Sequence, residues 1–339
     1  MSYLYVIEST RKFGFSDGCL VAKDLVEGTE TSVPFNQVDG ISIYGNTQLS
    51  TQLIRECLIS NRPISYYSED GHYFGMVKSF DFIDPERQKR QIYLSDNAAF
   101  CLAWSKQIIE AKIANSLALL RSFADCYRFS EAELHGLLHS MQYLDTADTV
   151  DILLGFEGSA ARCYFQCLAK LVPDNALEFR GRSTRPPKDP VNSMLSYGYS
   201  LLYRMIIGLI EHHDLHPYFA FMHKLQHGHA ALASDLVEEY RAFIVDRAVL
   251  SLLNSGEIRP ANFYRNDAGA IYMTKPLMKK LTDALSESMD ESHRYFASSG
   301  DHRAYGFRAM MDKKLDAVVS AIISGDATRY LPFYWVEGI

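Results

Sequence analysis

The sequence has no Cys-x-x-Cys pair, no apolar run long enough to span a bilayer and no excess of positive charge. Its six cysteines, Cys19, Cys57, Cys101, Cys126, Cys163 and Cys167, are scattered, which argues against a disulfide framework and a zinc ribbon. Cys163 and Cys167 share a helical face by their spacing of four and read as small core residues. The longest apolar stretches are broken by charge, as where Ile206 to Ile210 meets Glu211, so none approaches the roughly 20 residues a membrane helix needs. Met1-Ser2-Tyr3-Leu4 lacks the basic, apolar, small-residue order of a signal peptide, and a cytoplasmic protein is expected. Lys plus Arg number 34 against 41 Asp plus Glu, a net charge of −7. That excludes holding nucleic acid by bulk basicity, so any phosphate-binding surface must be local.

What is present is an ordinary globular composition, 339 residues with 47% hydrophobic and 22% charged, long enough for about two domains. The pattern predicts an α+β chain in three parts. Residues 1–80 read as a small β-rich domain: Tyr3 to Ile7, Phe13 to Phe15, Cys19 to Val21 and Val38 to Tyr44 read as strands, with Asp17-Gly18 as a tight turn. One helix, capped by Ser50 and stopped at Asn61-Arg62-Pro63, precedes a strand pair over Ile64 to Tyr67 and Tyr73 to Val77. Residues 81–97 read as a linker, marked by the charged stretch from Asp84 to Arg90 that is nearly free of apolar side chains. Residues 98–339 take a helical period, with helices expected over 98–124, 145–171, 191–211, 230–254, 275–297 and 303–324, and one small hairpin around Asn266 to Gly269.

Several residues in the helical part carry chemistry. Glu157 shares a helix face with Leu153, Leu154, Ala160 and Ala161, where an unpaired charge would cost several kcal/mol, so it needs a cation, a metal or an arginine such as Arg162, or else is protonated. Gly155 and Gly158 weaken that helix, as if another backbone or a substrate comes close. Asp235 and Glu238, three apart, place two carboxylates on one side of a helix, and His223 precedes them. Together these offer three carboxylates and one imidazole, an oxygen-rich set that favours Mg²⁺ or Mn²⁺ and suits phosphoryl transfer. His135 and His139 lack the intervening Glu of a zinc protease. The group His212, His213, His216, His227 and His229 reads as a polar helix end and loop, with an unrelated zinc hydrolase as the alternative. Arg180, Arg182, Arg185 and Lys188 lie in a stretch free of acids that reads as an exposed phosphate-binding loop, and Arg87, Lys89 and Arg90 make a weaker patch.

Three motifs in order carry a resemblance: Gly155-Phe156-Glu157-Gly158-x-Ala160-Ala161-Arg162; Arg185-Pro186-Pro187-x-Asp189-Pro190-Val191-Asn192-x-Met194-Leu195-Ser196-x-Gly198-Tyr199; and His223 followed by Asp235-Leu236-Val237-Glu238-Glu239-Tyr240-Arg241. The chain resembles the adaptation endonuclease and integrase of CRISPR systems, the first in the Cas series, over nearly its whole length. The resemblance implies a β-rich N-terminal dimerisation domain, a linker and an all-helical catalytic domain. It implies that Glu157, His223, Asp235 and Glu238 hold Mg²⁺ or Mn²⁺, with Asp235 the firmer ligand of its pair. It further implies insertion of short DNA fragments into a repeat array by attack of a 3′-hydroxyl on a phosphodiester. Arg241 and the loop from Arg180 to Lys188 are the expected phosphate contacts. Double-stranded DNA, a second copy of the chain and a small companion adaptation protein are the expected partners, and no membrane is. A catalytically silent DNA-binding scaffold of the same fold is the alternative.

Overall fold

The computed structural model describes residues 3–6, 10–69, 71–173, 177–183, 186–295 and 303–335. The chain forms two units, one of residues 1–89 with 204–216 and the other of residues 90–203 with 217–339. A strand-rich N-terminal region and a helical C-terminal part therefore follow one another as the patterning predicts.

In the first unit β2 (Arg11–Ser16) and β3 (Cys19–Asp24) pair antiparallel with Ser16 opposite Cys19. The turn is Asp17 and Gly18 alone, both at positive φ, 50° and 73°, which matches the right-handed twist of the strands it joins. β4 (Glu30–Pro34) extends this sheet beside β3, and β6 (Gln48–Leu49) beside β2. A second sheet runs β1 (Tyr3–Val6), β5 (Gly40–Tyr44), β7 (Ile64–Tyr67), β8 (Tyr73–Val77), the first two pairings parallel and the last antiparallel. Phe13, Leu20, Ile41, Ile43, Leu53 and Ile64 form the heart of its core. Helix α1 (Thr51–Ile59) starts where Ser50 Oγ accepts the Leu53 N–H at 3.2 Å, an N-cap that supplies one of the orphan donors with a partner.

Residues 204–216 also belong to this unit, although the helical period placed them elsewhere. They are the last turns of α6 (Pro190–His212) and the turn beyond it. The Tyr73 hydroxyl donates to the Glu211 carboxylate, Lys78 pairs with Asp214, and a Cβ on Gly208 would meet the Tyr67 hydroxyl at 2.5 Å. An unbroken helix gives no sign in its periodicity that its packing partner changes along its length.

The second unit is built from α3 (Ala98–Ser122), α4 (Glu131–Tyr143), α5 (Val150–Leu171), the first part of α6, α7 (Ala231–Val237), α8 (Arg247–Asn254), α9 (Lys275–Asp290) and α10 (Phe307–Ser324), with the hairpin β9 (Phe263–Arg265) and β10 (Ile271–Met273). Residues expected in a linker instead form α2 (Pro85–Ser95): Pro85 is well placed in a first helical turn and nothing after it breaks a helix. Helix α4 went unforeseen, although Ser130 and Glu133 form a complete capping box. It lies against α5 where a Cβ on Gly136 would sit 2.7 Å from Cys163 Cβ. Gly155 and Gly158, by contrast, have nothing within 4 Å of such a Cβ, so the expected close backbone approach occurs at Gly136 instead. Among the described residues no helix is long and apolar enough to cross a membrane.

Between α7 and α8 the chain winds as a π-helix over Arg241–Asp246. Such insertions widen a helix locally and gather at functional sites. Val245, within it, faces Gly198 of α6 so closely that a Cβ there would sit 2.5 Å from Val245 Cγ1. Overpacking of this kind costs about 1–3 kcal/mol. Gly198→Ala is therefore expected to lower the melting temperature of the full chain by several degrees, read by calorimetry; an unchanged midpoint would contradict the packing.

Candidate metal centre

Of the four expected ligands, the structure brings Glu157 and Glu238 to one cation. Glu157 projects from the middle of α5, its side chain 22% exposed, and contacts the Lys112 ammonium on α3. Lys112 Nζ also lies 2.6 Å from Glu238 Oε2, and Arg241 Nη2 lies 3.0 Å from Glu238 Oε1. Glu157 pairs with this lysine, 45 residues away in sequence, and not with Arg162, which is exposed one turn further along its own helix. Burial pushes the Glu238 carboxyl up, yet Arg241 and Lys112 outweigh it and hold its pKa at about 2. Glu238 Oε2 is buried and accepts no well-directed hydrogen bond, because the ammonium beside it sits at ion-pair distance but off line. That oxygen's ion pair with Lys112 is therefore not backed by a hydrogen bond.

Asp235 has a different environment. Its side chain is fully buried: Oδ2 accepts the N–H groups of Phe221 (2.9 Å) and Met222 (3.0 Å), and Oδ1 accepts the His223 N–H (3.0 Å) and lies 2.9 Å from His223 Nδ1. A carboxylate has about four acceptor positions, and these contacts fill them. Asp235 thus pins the backbone before His223 and fixes Nδ1 as the protonated ring nitrogen, which leaves Nε2 with the imidazole lone pair. Desolvation pulls the His223 pKa down, but the hydrogen bond and charge of Asp235 reverse this and raise it. Glu238 adds to that rise, so His223 and Glu238 share one electrostatic neighbourhood.

Behind Arg241 lies a layer the sequence did not reveal. Asp246, at the end of the π-helix, is buried and accepts the hydroxyls of Tyr164 (2.6 Å) and Tyr199 (2.5 Å). The guanidinium groups of Arg241 and Arg182 lie 5.0 and 5.2 Å from the centre of the Tyr199 ring, within cation–π range. Arg182, expected on an exposed loop, is therefore half-buried and held: its Nη1 donates to Asn192 Oδ1 at 2.8 Å and Ser196 Oγ at 3.1 Å. Asn192 in turn accepts the Ser183 N–H at 2.9 Å and donates to the Gly181 carbonyl at 2.8 Å, while Asp189 Oδ1 accepts the Asn192 N–H at 2.8 Å. The stretch Asp189-Pro190-Val191-Asn192 is a helix start that clamps the basic loop. Arg180 and Lys188 are exposed and line one open groove together with Arg162; Arg185 lies outside the described residues.

A third support comes from the C-terminal segment. Glu239, next to Glu238, is buried and accepts the Tyr330 hydroxyl and the Phe333 N–H. Asn115 of α3, one turn from Lys112, donates to the carbonyls of Glu239 and Phe333 at 2.8 Å each and accepts the Trp335 N–H at 2.7 Å.

Burial raises the Asp246 pKa from 3.8 to about 6, only partly offset by the tyrosine hydroxyls and the arginines. A carboxyl with a raised folded-state pKa is neutral at no cost below about pH 4 and becomes a burden as pH climbs towards 6, on the order of 3 kcal/mol once fully ionised. Asp246→Asn removes that burden and is expected to flatten the decline in unfolding free energy between pH 4 and 6; denaturation at stepped pH checks this, and an unaltered slope would contradict it.

Comparison with known proteins follows the same outline. The family model described as "CRISPR associated protein Cas1" matches residues 4–287. A CRISPR-associated endonuclease Cas1 of Mycobacterium tuberculosis is 38% identical over 97% of this chain and 96% of its own length. Another, from Chlorobaculum tepidum, is 30% identical over 93% of each. Among solved structures, a casposase bound to its integration product superposes with a TM-score of 0.72 at 23% identity, covering 99% of this chain and 100% of that one. A Cas1 protein from Thermotoga maritima gives 0.70 at 20% identity over 96% and 98%.

Proposed function

Because the chain belongs to the Cas1 family of CRISPR-associated endonucleases and integrases, we propose that it is a metal-dependent DNA strand-transfer enzyme that inserts short DNA fragments into a repeat array. The reading rests on one observation above all: Glu157 and Glu238 converge on a single cation, and the charge of Glu238 acts on an imidazole whose Nδ1 is held by Asp235. This donor set fits a hard divalent ion. Two carboxylate oxygens and a neutral imidazole nitrogen suit Mg²⁺ or Mn²⁺, the buried Glu238 Oε2 has no well-directed hydrogen bond to give up, and among the described residues no cysteine lines the cavity at Glu157 and Glu238. Membership in this family also displaces an unrelated zinc hydrolase as a reading of the histidine-rich segment.

In this reading Glu157, Glu238 and His223 hold the ion, and Asp235 is a positioning residue. The expectation that Asp235 is the firmer ligand gives way to its saturated hydrogen bonding. When bound, the ion polarises the phosphodiester and favours the ionised form of the attacking 3′-hydroxyl. The protein's own groups do the rest. Asp235 presents His223 in one tautomer, as carboxylate partners of ligating histidines do. Arg241, braced on Glu238 and on the Tyr199 ring, supplies a fixed positive charge for a non-bridging phosphate oxygen. Arg180 and Lys188 contact the backbone without reading bases, while Arg182 acts through Tyr199.

Relatives are named in complex with DNA and as parts of Cas1–Cas2 assemblies. By analogy this chain takes double-stranded DNA, a second copy of itself joined through the N-terminal unit, and a small companion protein, and acts in the cytoplasm where the repeat array lies. Arg162, exposed on α5 beside the groove, joins the phosphate contacts.

Two measurements test this. Glu157→Gln and Glu238→Gln are expected to abolish Mn²⁺ binding and strand transfer into a supercoiled repeat plasmid, whereas Asp235→Asn loses about tenfold to a hundredfold in metal affinity. A greater loss in Asp235→Asn than in Glu238→Gln would reverse the two roles. Separately, Arg180→Ala and Lys188→Ala should each reduce the slope of log affinity against log salt by about one, while an unchanged slope places the DNA elsewhere.

A further inference from the structure

The charge of the Glu157 and Glu238 pair is already balanced by the protein itself. The two carboxylates carry two negative charges; Lys112 touches both and Arg241 touches Glu238. Lys112 meets both carboxylates as their ion-pair partner. Its ammonium occupies the space between the same oxygens that the preceding reading gives to a divalent ion, and two cations cannot make those contacts together. The cavity at this cluster, bounded by Lys112, Ser116, Tyr164, Tyr199 and Arg241, measures only about 30 Å³. That is room for one or two waters, too little for an ion that keeps several waters of its own.

We propose that Lys112 is a resident competitor of the divalent ion, so that metal uptake by Glu157 and Glu238 is favourable only when a DNA phosphate arrives. The inference rests on the metal reading above and adds a coupling to it. Placing a doubly charged ion in a cluster that is neutral as it stands leaves an uncompensated charge in a partly buried site, which is costly. A phosphodiester restores the balance, and its oxygens give the displaced ammonium a new partner, reached by the flexible four-carbon stem of lysine. Metal and DNA then strengthen each other by the same factor, as linkage requires. Removing the lysine charge abolishes the competition: the free protein should take metal readily and lose most of its dependence on DNA.

Calorimetric titration of Mn²⁺ into the full chain tests this, with and without a duplex whose 3′ ends are dideoxy-terminated so that it cannot react. Wild type is expected to bind Mn²⁺ at least about tenfold more tightly with the duplex than without. Lys112→Met should bind Mn²⁺ at least about tenfold more tightly than wild type in the absence of DNA, with little further gain on adding it. Lys112→Gln serves if the first variant does not fold, as judged by circular dichroism, and Lys112→Arg, which keeps the charge, should stay weak. The proposal is overturned if the uncharged variants bind no more tightly than wild type. Tight, DNA-independent Mn²⁺ binding by wild type that disappears in Glu157→Gln overturns the proposal but leaves the metal site standing. If no form binds Mn²⁺ with or without DNA, the metal site itself falls, and the proposal with it.

Discussion

Two carboxylates brought together away from water repel each other, and the contact of both with the Lys112 ammonium is what lets α3, α5 and the segment after α7 converge. Arg241 closes the set from the far side of Glu238. Removing one partner from such a buried group leaves a charge unpaired, which costs far more than the pair itself contributes. The arrangement therefore fixes geometry more than it adds stability, and geometry is what phosphoryl transfer needs.

Around this cluster the protein spends hydrogen bonds on holding side chains still. Tyr199 receives two guanidinium groups and donates to Asp246, Asn192 gathers the loop that carries Arg182, and Asp235 is used up on three backbone N–H groups and one imidazole nitrogen. Glu239 does the same for the C-terminal segment, whose residues lie past the end of the family match at 287. Residues adjacent in sequence, Glu238 and Glu239, thus face opposite duties: one is turned towards two cations, the other anchors the chain end.

Much of the fold was legible because its signals are local. Asp17-Gly18 can hardly do anything but turn, Ser50 caps, and the three- and four-residue apolar spacing marks most of the long helices. The site was legible as residue types and order, with Glu157, His223, Asp235 and Glu238 the expected ligands; the fold brings Glu157 and Glu238 to one cation and pairs His223 with Asp235. What escaped was long-range. Nothing near Lys112 in sequence announces that its partners lie 45 and 126 residues on, and a lysine on an apolar helix reads as an outward-snorkelling one. Asp235 looked like a ligand because spacing puts it on the same face as Glu238; only the fold shows that the backbone at 221–223 reaches it first. Asp246, set in the run Phe243-Ile244-Val245, carried the one local hint missed, since an acid in so apolar a stretch calls for partners. α4 carried another in its Ser130-x-x-Glu133 box.

The π-helix over Arg241–Asp246 bears on how this protein can change over generations. Such a winding holds one residue more than the regular helix it interrupts, so the side chains before and after it are offset in phase. Glu238 and Arg241 reach the cluster from one register and Asp246 reaches Tyr199 from another. A single deletion in this stretch would close the wide turn into a regular one and leave the flanking segments in phase, so the change would fall on the residues within the turn, from Arg241 to Asp246. Here inheritance can exchange side chains far more freely than it can alter the count.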